Sequence, residues 1–136
     1  MKRLLRVGVA LLAVIEVVLG FWTAFFPESF YALPTLDLTP PFSEHLMRDF
    51  GGATLGLAVV LIAATIWPET KLVIVALAAY LAFSVPHFVF HVLHVDGATA
   101  LQATILLTLL GFAVVLPALL IVVAVRVSRP PARRRD

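Results

Sequence analysis

The chain has 136 residues, 62% of them hydrophobic and only 13% charged, with a formal net charge of +2. That apolar excess is more than a soluble core takes up and matches one small domain whose solvent is lipid. With no cysteine present, disulfides, thiolate metal sites, iron–sulfur clusters and cysteine nucleophiles are excluded, and nothing in the charge pattern supports nucleic-acid binding.

Four apolar runs are long enough to cross a hydrocarbon layer, which takes about 20 helical residues. The first, Leu4–Phe26, follows Lys2 and Arg3 and has Arg6 in its first turn. It is too long for a secretory h-region, contains Glu16 and has no small-x-small cleavage site after it, so a retained helix is expected. Glu16 shares a face with Gly20 and Thr23. A carboxylate so far from water is a functional candidate, either a general base or a proton relay.

The segment PESFYALPTLDLTPP comes next. Its prolines preclude a continuous helix, and its apolar side chains suit a piece packed at the membrane interface or folded over the helix ends. EHLMRD then opens the second run, Leu46–Trp67. Helical periodicity puts His45, Asp49, Gly52 and Gly56 on one face and Glu44 with Arg48 on the adjacent one. Gly52 and Gly56 form a small-xxx-small strip suited to close helix approach, within the chain or between chains.

A short WPETK turn leads to the third run, Leu72–Leu93, which ends in PHFVFHVLH. His87, His91 and His94 fall within a sector of about 60°, and Ser84 and Tyr80 extend the stripe inward. One polar stripe on an otherwise apolar helix should face the bundle interior. The fourth run, Ala98–Val125, carries Gln102, Thr104 and Thr108, which helix–helix hydrogen bonds explain. The tail 127–136 is basic and broken by proline, a topology signal that also touches anionic lipid.

Lys2, Arg3, Arg6, Lys71, Arg126, Arg129, Arg133, Arg134 and Arg135 all fall on one side of this arrangement, with Arg48 the exception. The positive-inside bias therefore places both termini in the cytoplasm of a cell-membrane protein and residues 27–45 and 94–98 outside. Trp22 and Trp67 sit near helix ends as interfacial anchors. The expected fold is all-α, an antiparallel bundle of four transmembrane helices.

Topology and periodicity together bring EHLMRD and the histidine stripe towards one outer site. Histidines at i and i+4, as in His87 and His91, bind one metal ion from a single helix, and Asp49, Glu44 or His45 could complete the shell. His91 and His94, at i and i+3, could do the same. His87 and His94 lie about 10 Å apart along the axis, so one ion takes two of the three histidines. The third then serves a second ion, bonds a carboxylate or carries protons. With imidazole and carboxylate ligands the admissible metals are zinc, iron, manganese and copper. Haem, held between His45 and a histidine of the third helix, is a less favoured alternative. Such a site, with Glu16 beneath it, would be reached by a lipid-soluble small molecule.

The competing class is a non-enzymatic accessory or lipid-binding subunit, a homo-oligomer or partner of another membrane protein. In that class Glu44–Arg48 and His45–Asp49 satisfy each other as i, i+4 pairs, and Arg48 takes a substrate or lipid headgroup. The order of parts resembles small four-helix membrane proteins of actinobacteria, loosely DoxX-like: a FYALP-like outer segment, EHLMRDFGG opening the second helix, PHFVFHVLHVDG ending the third. That resemblance implies the four-helix architecture and carries no activity with it.

Overall fold

The structure is a computed structural model that describes residues 2–34 and 41–128. Residues 35–40 of the outer segment and the tail from 129 onwards, with Arg129, Arg133, Arg134 and Arg135, lie outside the described residues. The long helices are α1 (Lys2–Phe25), α3 (Glu44–Ile66), α4 (Thr70–Leu93) and α5 (Ala100–Ser128), with a short α2 (Pro27–Tyr31) directly after α1 and a short turn between α3 and α4. Each long helix has the length and hydropathy to cross a membrane. The architecture is that of a multi-pass four-helix membrane bundle.

The helix ends follow from local chemistry. Pro27 opens α2 at the position where its missing N–H costs nothing. Ser43 caps α3 by accepting from the Leu46 N–H at 3.4 Å. Thr99 and Gln102 form a reciprocal capping box on α5: the Gln102 Oε1 accepts from the Thr99 N–H at 2.9 Å, and the Thr99 Oγ1 accepts from the Gln102 N–H at 3.3 Å. Gly97, at φ 88°, supplies the left-handed turn between α4 and α5. Pro86 and Pro117 lie within α4 and α5, which continue through them.

Around the bundle the order is α1, α3, α4, α5, each antiparallel to its neighbours, with α1 against α3 and α4 against α5 the most extensive contacts. The α1–α3 crossing is a backbone contact. A Cβ on Gly20 would lie 2.9 Å from the Leu55 nitrogen and 3.1 Å from the Gly51 carbonyl oxygen, and one on Gly51 would meet Thr23 Oγ1 at 2.7 Å and the Ala24 backbone. The close approach expected of a glycine strip is thus made by Gly20 and Gly51. Gly52 and Gly56 face outward, and a Cβ on either meets nothing within 4 Å.

All four helices share a common core at one end only. Leu5, Val9, Leu12 and Ala13 of α1 pack with Leu61 and Ala64 of α3, Val73, Ala76, Leu77 and Tyr80 of α4, and Leu120 and Ala124 of α5. These are the cytoplasmic ends in the topology read from the charges. At the opposite end α1 and α3 meet at the Gly20–Gly51 crossing, while α3 and α4 are joined by the Phe50–Phe83 ring pair at 5.7 Å.

Candidate functional site

A buried polar contact joins two diagonal helices. Glu16 of α1 and Tyr80 of α4 are buried at the top of the shared core, and their side chains hydrogen bond, the Tyr80 hydroxyl donating to the carboxylate. Glu16 points inward because it stands four residues beyond Leu12, on the face that packs the core. In a membrane interior such a carboxylate requires a partner, and a phenol donor supplies one without adding a second charge.

From Tyr80 the stripe climbs α4 one turn at a time. Ser84 is buried, and its Oγ has no hydrogen-bond partner among the described residues. His87 and His91 follow, half-buried, with ring centroids 4.7 Å apart and nearly perpendicular. Successive members stand three or four residues apart, about 5–6 Å between Cβ atoms. Aromatic rings fix the mouth of this file: Phe83 stacks on His87 at 5.3 Å, and Phe50 of α3 approaches it at 6.5 Å. His94 leaves the file: its Nδ1 donates to the Phe90 carbonyl at 2.7 Å and its ring stacks on Phe90 at 4.1 Å, closing the exposed end of α4.

EHLMRD does not converge on the histidines as a cluster. The Arg48 Nε and Nη2 donate to Glu44 Oε1 at 2.9 and 2.8 Å, and Nη1 donates to the Ala24 carbonyl at 2.5 Å, so this group turns towards the end of α1. His45 and Asp49 pair with each other at 3.3 Å on the outward face, with side chains 89% and 65% exposed. The reason is the rotation of α3 about its axis. Gly51 must meet α1, which carries Arg48 with it and leaves His45, Asp49, Gly52 and Gly56 on the far side. Among the described residues no three histidine, aspartate or glutamate side chains stand close enough to hold one metal ion.

No protein-family model, curated protein or solved structure matches the chain. The chemistry therefore has to come from geometry. Two clefts bear on it. One of about 180 Å³ opens between α3 and α4, lined by Phe50, Ala53, Thr54, Leu57, Ala79 and Phe83, immediately beside the Tyr80–Ser84–His87 file. The other, about 300 Å³, lies where α1, α2 and α3 meet, with Glu28, Glu44 and Arg48 in its wall.

Periodicity alone does not show Gln102 as a cross-link. Besides its capping role, its Nε2 donates to the Pro34 carbonyl at 2.7 Å, tying α5 to the outer segment 68 residues earlier in the chain. The T-x-x-Q signature at Thr99 was the available signal for the cap. The reach to Pro34 carries no local signature. Thr104 bonds back to the Ala100 carbonyl at 2.7 Å, a local contact and not one between helices.

Proposed function

We propose that the protein presents a proton-exchanging site in the extracytoplasmic half of its bundle to a ligand dissolved in the bilayer. Glu16 is the acid–base group, Tyr80 orients it, and Ser84, His87 and His91 connect it to the outer surface. The observation that carries this reading is the Glu16–Tyr80 bond, lying at the base of the stripe that ends in the histidine pair. Hydroxyls and imidazoles each donate and accept, so a file of them passes protons where apolar side chains cannot. Below Glu16 the core is Leu, Val and Ala, which blocks a path through to the other side and argues against transport.

The ligand's way in is the cleft between α3 and α4. Its walls are apolar apart from Thr54, as expected for a lipid-soluble molecule, and its volume of about 180 Å³ is below that of pockets which enclose a drug-sized ligand. Only a ring or a length of chain would enter. The direct test is infrared difference spectroscopy on protein in lipid nanodiscs after a pH step. A protonated-carboxyl band should appear, vanish in Glu16→Gln and form more slowly in the His87→Ala/His91→Ala variant. A band unchanged in Glu16→Gln would remove Glu16 from the role.

A metal ion on His87 and His91 is the second reading, supported by the 4.7 Å approach of their rings. Two imidazoles from one helix make half of a four-coordinate shell, and the remaining positions would be taken by a ligand or by a second copy of the chain. Elemental analysis of untagged protein is expected to show one equivalent of a transition metal, lost in His87→Ala/His91→Ala while the bundle remains folded. Metal-free protein after preparation under metal-replete conditions would eliminate this reading and leave the proton file intact.

The outward face of α3 favours an assembly role alongside either chemistry. Two helices meet closely in a bilayer where small residues let backbones approach, and His45 and Asp49 flank the free Gly52–Gly56 strip one turn away. A second copy packed on this strip would bring its own His45–Asp49 pair to the same face, as a two-fold interface does.

A further inference from the structure

The cleft of about 300 Å³ at the junction of α1, α2 and α3 is separate from the histidine file. From its charges and its position, we infer that it is a subsite for a zwitterionic headgroup of the phosphoethanolamine class, carried by a membrane phospholipid or free in solution.

Its cation is preset. Arg48 is held from two directions, by Glu44 and by the Ala24 carbonyl, which together occupy three of the guanidinium's five N–H groups. Two N–H groups remain for an incoming phosphate, and the fork geometry suits that anion. An isolated anion is nevertheless a poor match. Glu28 and Glu44 both line the cleft, so one guanidinium against two carboxylates leaves a net charge of −1. A phosphate alone would meet that excess at close range. A ligand carrying its own ammonium a short distance from its phosphate answers both signs, and a primary ammonium donates to carboxylates where a trimethylammonium has no N–H to give.

The surroundings suit a lipid-borne form of this headgroup. Phe25 and Phe26 form the apolar wall and are each 56% exposed. From Phe25 an unbroken exposed stripe, Phe21, Val18, Val14, Leu11 and Val7, runs down α1 at helical spacing, opposite the core-facing residues. An acyl chain attached to a headgroup in the cleft would lie along it. The Trp22 indole, donating to Ser29 Oγ at 3.2 Å, holds α2 and therefore Glu28 in place.

The test uses the full chain in mild detergent, with native mass spectrometry of retained lipid after exposure to phosphatidylethanolamine, phosphatidylcholine and phosphatidylglycerol of identical acyl chains. Phosphatidylethanolamine should be retained about tenfold over the other two, the factor expected from one charge-assisted contact. Glu28→Gln, an exposed position outside the core, should bring that ratio close to one without changing thermal stability. Competition by free phosphoethanolamine separates the sources: displacement identifies the soluble headgroup as sufficient, and retention of the lipid identifies the phospholipid. Equal retention of the three lipids, a preference for phosphatidylglycerol, or an unchanged ratio in Glu28→Gln would each overturn the proposal.

Discussion

Adding a single methyl group at Gly51 should cost about 2–3 kcal/mol, the upper part of the range for overpacking a tight contact. The new Cβ would meet Thr23 Oγ1 at 2.7 Å and, more severely, the Ala24 backbone. Thr23 has little room to move, because its hydroxyl already donates to the Leu19 carbonyl at 2.7 Å in a fully buried position. The Ala24 backbone belongs to α1 and shifts only if the whole crossing opens. Opening it would also draw Ala24 away from Arg48. Thermal unfolding in detergent should therefore show Gly51→Ala well below the parent protein. Gly52→Leu and Gly56→Leu should unfold with the parent, since their Cβ positions are open, and should instead reduce association between copies. A destabilised Gly52 variant with an unaffected Gly51 variant would mean that the rotation of α3 is wrong.

The second large effect concerns Glu16 and Tyr80. Tyr80→Phe leaves a buried carboxylate without its donor, and Glu16→Leu leaves a buried hydroxyl without its acceptor, each costing about 1–3 kcal/mol. Removing both partners leaves neither stranded. The double variant should accordingly be more stable than the sum of the single changes by about 1 kcal/mol or more, a coupling that a double-mutant cycle reads directly. Additive losses would show that the two side chains do not act on each other. A double variant that folds as well as the parent but no longer gives the carboxyl band would show that the pair is kept for its chemistry, since apolar replacements serve the fold equally well.

Much of the architecture was legible because a membrane span is a long-range average over composition. The predicted Leu72–Leu93 ends at the same residue as α4, and the other runs agree with α1, α3 and α5 to within three residues at either end. The inward stripe from Tyr80 to His91 was legible for a similar reason: few polar residues on an apolar helix fix which face is inside. The convergence of EHLMRD on that stripe was not. Periodicity says that His45 and Asp49 share a face, but the face turned to α4 depends on how α3 rotates, and a choice between neighbouring glycines decides that. Gly51 packs and Gly52 does not, although the two are adjacent and chemically identical. The difference resides in α1, where Gly20 lies opposite, and no local pattern in α3 records it.

The concentration of the common core at one end of the bundle makes the molecule mechanically unequal along its length. Free energy of local opening follows buried contact, so amide hydrogens of α4 around Val73–Tyr80, in the shared core, should exchange only with cooperative unfolding of the whole protein, and those around His87–Leu93 should exchange through small separations of the α4 tip. With α1 and α3 kept closed there by the Gly20–Gly51 crossing, the tip of α4 can part from α3 to admit a guest and close again at little cost, leaving the shared core undisturbed.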